Sequence, residues 1–116
     1  MKQSILHYKA LNFAADIVNM YESFLLLKKD NTIAKQLLRS ATSIGANLNE
    51  ATFGNSKADF ISKLHIALKE CSESLYWLEL MSKVNYKIEN IDKLIKDCNE
   101  IKALLVSSIN TAKKSD

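Results

Sequence analysis

Apolar residues recur at spacings of three and four along almost the whole chain, the repeat that turns one side of an α-helix toward a core. From about Ser4 to Leu27, Leu6, Ala10, Phe13, Ala14, Ile17, Tyr21, Phe24 and Leu25 make such a face, and Lys9, Asn12, Asp16, Asn19 and Ser23 take the opposite side. The pattern stops at Lys28–Asn31, where two lysines suit the negative pole of a helix end and a short hairpin loop is predicted. A second helix starts near Asn31 or Thr32, either of which can cap it, and runs to about Ala51. Thr52–Ser56 reads as a loop in which Gly54 and Asn55 can adopt positive φ. Ser56 with Asp59 three residues later resembles a capping box and opens a third helix ending near Ser82, with Phe60, Leu64, Ala67, Leu68, Cys71, Leu75 and Leu78 as its core stripe. Asn85–Asn90 forms the last connection, with Asn90 as cap and Asp92 favourable in the first turn of a fourth helix. Ile91, Leu94, Cys98, Ile101, Leu105, Ser108 and Ala112 form its seam, and the residues from Lys113 to Asp116 a frayed polar tail.

Two stripes depart from this simple scheme. On the second helix, Ile33, Leu37, Ile44, Leu48 and Ala51 form the core face with Ala34, Ala41 and Gly45 as small neighbours, but Gln36, Ser40, Ser43, Asn47 and Glu50 run beside them as a polar stripe. One reading is a boundary network of satisfied polar groups, with Arg39 paired to Glu50 through a third residue or another chain. The other is a recognition surface in which Arg39 and Asn47 contact phosphate or base edges. On the third helix, Ile66, Trp77, Leu80 and Val84, with Met81 beside them, make an apolar stripe more than a quarter turn from the core stripe. A single bundle cannot bury both, so this face is expected to be an oligomer interface, the alternative being a loop or the fourth helix folded over it.

Composition narrows the picture. The 116 residues include no proline and two glycines, Gly45 and Gly54, which favours long helices over a turn-rich β fold. The expected architecture is all-α: an antiparallel up-down-up-down four-helix bundle, one domain over residues 1–116, assembling as a cyclic homo-oligomer. A net charge of +3 tolerates an anionic partner without demanding one. Cys71 and Cys98 both fall on core faces and are read as buried reduced thiols rather than a disulfide or redox pair, which implies a cytoplasmic setting. His7, Lys9 and Asn12 interrupt any leader-like apolar run, so neither export nor membrane spanning is expected.

On this scaffold stand the run RSATSIGANLNEA from Arg39 to Ala51, then Asp59-Phe60, the IALKE of Ile66 to Glu70, Glu73 and Leu75. These residues resemble the four-helix-bundle family encoded in intervening sequences of bacterial large-subunit ribosomal RNA genes, most specifically at Arg39-Ser40, Ser43-Ile44, Asn47 and Glu50-Ala51. The resemblance covers nearly the whole chain and implies a small bacterial bundle that forms a ring-like homopentamer with no known catalytic residues. The chain is also similar to the accessory proteins of diversity-generating retroelements, which implies nucleic acid and a reverse transcriptase as kinds of partner.

Catalytic patterns are missing from the sequence. There is no Glu-x-x-His pair for a di-iron bundle, no P-loop and no zinc spacing. A helical RNA-cleaving domain of the HEPN type needs a histidine four to six residues after its arginine, but Arg39 is followed there by Ser43, Ile44 and Gly45. His7 is expected to be a solvated surface residue and His65 a packed or surface one. The expectation is a non-enzymatic protein without cofactor, metal or small-molecule substrate. It binds structured RNA weakly through repeated basic sites, with Lys35, Arg39, Lys57 and Lys63 as candidates, or it serves as a scaffold or accessory subunit for a protein partner.

Overall fold

The computed structural model describes the backbone of residues 2–84 and 86–115 and the side chains from Ile5 onward; Asn85 of the expected last connection and Asp116 of the expected tail lie outside the described residues. The chain forms four helices, α1 (Lys2–Leu26), α2 (Thr32–Thr52), α3 (Lys57–Lys83) and α4 (Ile91–Lys114), with no strand among the described residues.

The helix ends follow local chemistry more closely than the spacing could. After α1, the Lys29 amide donates to the Phe24 carbonyl and the Lys28 amide to the Leu25 carbonyl. This pair of hydrogen bonds is a Schellman closure, and it holds Lys28 at a left-handed φ of 53°. α2 is not capped by Asn31 or by the Thr32 side chain. Asp30 does that work, its carboxylate accepting from the Thr32 amide at 2.9 Å and hydroxyl at 2.8 Å. Those bonds hold the Asp30 carboxyl below its ordinary pKa, because they favour the charged form. Ser56 caps α3 as expected, accepting from the Asp59 amide at 3.1 Å. Asn90 precedes α4 but sits at a left-handed φ of 67°, and its side chain makes no capping bond. Gly54 and Asn55 take no positive φ. What Gly54 provides is room: a Cβ there would lie 3.3 Å from the Ala51 carbonyl oxygen.

Each helix packs on its neighbours in the chain and α4 returns to α1, while the diagonal pairs α1–α3 and α2–α4 stay apart. The result is a rod of 51 × 21 × 20 Å. The core runs through it as Leu6, Phe13 and Ile17 of α1, Leu37, Ile44 and Leu48 of α2, Leu64, Leu78 and Met81 of α3, and Ile101 and Leu105 of α4. Each large side chain so enclosed contributes roughly 1.5–3 kcal/mol against its exposed state. Leu25, expected in the core face of α1, is 49% exposed. Leu25 sits in the last turn of α1, just before the Schellman closure.

Candidate functional site

The two unusual stripes turn out to border one seam, because α2 and α3 pack with residue numbers rising on one helix as they fall on the other. Ser40 meets Ser74 at 2.8 Å, Arg39 meets Glu73 at 4.0 Å and Glu50 meets Lys63 at 2.9 Å. Ser40 is not at the edge of the core but wholly inside it. Its burial is tolerated because the hydroxyls form a chain: Ser74 donates to the Glu70 carbonyl at 2.9 Å and Ser40 can donate to Ser74. Ser43 and Asn47, half-buried, turn back on their own helix, donating to the Arg39 and Ser43 carbonyls, each at 2.8 Å. Gln36 and Glu50 are exposed. Arg39 and Glu50 do not pair with each other, since eleven residues of helix separate them by about 16 Å; each finds a partner across the seam instead. Two buried polar atoms on this flank of α3, Glu70 Oε2 and Trp77 Nε1, have no hydrogen-bond partner.

The expected interface residues divide. Met81 is fully enclosed and belongs to the subunit's own core, so it is withdrawn from the face. A hundred-degree step from Leu80 carries it around toward the α2 seam. Trp77 is half-buried against the core with the Tyr76 ring edge-on at 5.2 Å, and Leu80 is half-buried. Ile66 and Val84 are exposed, at 39% and 41%.

The four candidate cations do not form one patch. Lys35 and Arg39 line a shallow groove of 360 Å³ with Gln36, Leu38 and Thr42. Lys57 lies past the far end of α2, about 25 Å of helix from Lys35. Lys63 is held by Glu50 and Arg39 lies within reach of Glu73, so two of the four carry local counter-charges. A different basic locus was not visible in the spacing. Lys29 and Lys87, from the connections before α2 and before α4, line a groove of 530 Å³ with Phe24, Asn90 and Lys93, and the carboxylates Asp16 and Glu89 line it too, so its charge is mixed with a small basic excess. Phe24 stacks on Tyr86 at 5.7 Å and takes the Lys29 ammonium over its ring at 5.4 Å, which brings the two connections together. Lys93 is committed elsewhere: Asp97 at 2.8 Å, and then Asp16 at 3.6 Å, hold its ammonium above the ordinary range.

Over nearly its whole length the chain matches the 23S rRNA-intervening sequence protein family, at residues 2–107. It belongs to that family. A crystal structure of a protein of unknown function from the S23 ribosomal protein family of Bacteroides thetaiotaomicron VPI-5482 superposes on it with a TM-score of 0.90 at 45% identity, covering 95% of this chain and 99% of that one. No curated protein matches it.

In this member of the 23S rRNA-intervening sequence family, a second apolar stripe runs along α1 that the core pattern concealed. Tyr8, Leu11, Ala15, Val18, Glu22 and Leu25 are all exposed along the outer side of α1. Their spacing alternates three and four, as in the seam of a coiled coil. Leu11 is 70% exposed and Tyr8 68%. The signal was present, but the inner face of α1 follows the same repeat and absorbed it. His7 was also misjudged. It is half-buried, with Nε2 3.2 Å from the Leu48 carbonyl oxygen and 3.4 Å from the Thr52 hydroxyl, so it ties the start of α1 to the end of α2. Among the described residues no group of three or more His, Cys, Asp or Glu could hold a metal ion, and no helix is long and apolar enough to cross a membrane.

Proposed function

We propose that the protein is a non-catalytic, self-associating bundle, antiparallel and up-down-up-down, whose copies close into a cyclic homo-oligomer that presents repeated shallow basic sites to structured RNA. The observation that carries this reading is the pair of outward apolar seams on helices that do not touch. One is Tyr8, Leu11, Val18 and Leu25 on α1, and the other is exposed Ile66 and half-buried Trp77 and Leu80 on α3, with exposed Val84 just past its end. Two different apolar faces on separate corners of one subunit suit a head-to-tail contact, α1 of one copy against α3 of the next, and such contacts generate rings when the rotation closes. Five copies is the expected number. The opposed run of the Ser40–Ser74, Glu50–Lys63, Lys9–Glu100 and Asp16–Lys93 pairs supports the antiparallel arrangement.

A mixing experiment tests the contact. Leu11→Asp spoils only the α1 seam and Ile66→Asp/Val84→Asp only the α3 seam, all at exposed positions. Each variant alone should sediment as a monomer, whereas an equimolar mixture should form dimers, joining the one intact α1 seam to the one intact α3 seam. Unmodified protein that is monomeric at tens of micromolar, a range set by ordinary homo-oligomer affinities, would sink the assembly. Full association of Leu11→Asp alone would sink the head-to-tail geometry.

RNA binding is supported by the family's link to ribosomal RNA intervening sequences, by the net charge of +3 and by the Lys29–Lys87 groove. Repetition around a ring converts weak attraction per subunit into avidity. Apparent affinity for a structured RNA should fall steeply with salt and should drop further for Lys29→Glu/Lys87→Glu than for Lys57→Glu. A binding curve at low salt that matches an uncharged polymer would remove the RNA role. The rival reading, a scaffold for a protein partner, draws on the counter-charges at Arg39 and Lys63, which blunt their attraction for phosphate. Recovery of a specific protein after nuclease treatment, with no salt-sensitive RNA binding, would favour it.

A further inference from the structure

α3, near its middle, and α4, in its first half, meet through two thiols. Cys71 and Cys98 are completely enclosed, and their sulfurs stand 3.8 Å apart. Each thiol donates to the other's backbone carbonyl, at 3.4 Å in both directions. This reciprocal arrangement aims both side chains across the seam. A disulfide requires a sulfur separation of about 2.05 Å, so a closing movement of under about 2 Å shared between two side chains completes the bond. The helices are already neighbours, and no unfolding is needed to bring the sulfurs together.

We propose that Cys71 and Cys98 form an oxidation site, at which hydrogen peroxide converts the thiol pair into a disulfide that ties α3 to α4. The arrangement is reciprocal, so either thiol can react first, and Cys71 serves as the example. The Cys71 sulfur attacks a peroxide oxygen and the O–O bond breaks, leaving Cys71 sulfenic acid and one molecule of water. The Cys98 sulfur then attacks the Cys71 sulfur, the S–O bond breaks, and the departing hydroxyl takes up the Cys98 proton as a second water. The protein loses two electrons and the peroxide gains them. Both sulfurs are fully enclosed, so the reaction requires transient opening of the seam, which favours an oxidant close to water in size over a bulky one.

The proposal stands on the seam geometry and is independent of how the protein assembles or what it binds. It is tested on the full folded chain. After peroxide treatment, quenching and unfolding in an alkylating reagent, the subunit should be about 2 Da lighter, carry no alkylatable thiol and recover both on reduction. The cross-link should raise the thermal midpoint by roughly 5–15 °C, since it removes freedom from the unfolded chain. Cys98→Ser should stop at Cys71 sulfenic acid, about 16 Da heavier and trapped by dimedone. Cys98→Ala serves the same purpose should the serine disturb the core. Survival of both thiols under peroxide that consumes free glutathione would overturn the site, as would a bond formed between subunits. An oxidised chain no more heat-stable than the reduced one would overturn the tie.

Discussion

Helices α2 and α4 place their large apolar residues on one side only, whereas α1 and α3, at the other two corners of the rod, carry them on two. On α2 no large apolar residue of the helix itself is exposed, and on α4 only Val106 is. On α1 the exposed set includes Ile5, Tyr8, Leu11, Val18, Leu25 and Leu26, and on α3 Ile66 and Tyr76 are exposed. The one-sided helices are accounted for by the subunit's own core. The two-sided ones have more apolar surface than that core covers, and it is this surplus on which the proposed self-association draws. The difference teaches that all four helices build the core, while the apolar surface left over collects mainly on α1 and α3.

The largest expected effect separates the two classes directly. Ile44→Ala, on the single apolar side of α2, should cost about 2–5 kcal/mol in urea unfolding, the price of a buried cavity. Leu11→Ala, on the outer side of α1, should cost the isolated subunit less than about 0.5 kcal/mol. Equal losses at the two positions would abolish the contrast. Next comes the polar seam between a one-sided and a two-sided helix. Ser40→Ala and Ser74→Ala should each cost about 1 kcal/mol, and the double variant should fall short of the sum by about 0.5 kcal/mol or more. Strict additivity would mean that the hydroxyl chain does not hold α2 to α3. Ser74→Ala should be the milder change, because Ser40 retains the Leu37 carbonyl at 3.2 Å as an alternative acceptor.

Smaller effects are expected where α1 hands over to α2. Lys28→Gly should stabilise the subunit by about 0.5–1 kcal/mol, since glycine adopts the left-handed Schellman position without a Cβ penalty. A loss of stability would show that the lysine side chain matters more than its backbone. The Asp30 cap should appear only at the acid end. Its folded pKa is depressed, so its contribution is present above the ordinary carboxylate range and is lost as pH falls through the folded value. Asp30→Asn should therefore lower stability at neutral pH but flatten the decline below about pH 4. Unchanged acid sensitivity in that variant would assign the decline to other carboxylates.

The four helices were legible because each keeps a three-and-four repeat long enough to survive interruptions. The inner face of α2 was read nearly residue by residue, and the Ser56 cap of α3 was read from its spacing alone. Ser40 was misplaced because periodicity gives a residue's angle around its helix but not the depth to which a neighbour covers it. Met81 failed for the same reason, one step around α3 from residues that stay partly exposed. The Asp30 cap was missed because three adjacent residues, Asp30, Asn31 and Thr32, all had suitable side chains. The outer seam of α1 was hidden behind an inner seam with the same period. Among the basic residues, Lys29 reads only as a helix-end lysine and not as a neighbour of Lys87, because the two lie 58 residues apart in the chain and on no helix.

What the sequence determined by itself was the kind of element, the approximate limits of each and the family, since all three depend on local order: spacing, end residues and the run from Arg39 to Ala51. Only the packing of four rods decided which polar stripe met which apolar one, that the two sulfurs face each other at 3.8 Å, and which apolar residues were left over. Those outcomes depend on the angle and register between helices, which arise from many side chains fitting at once. No single stretch of chain contains them.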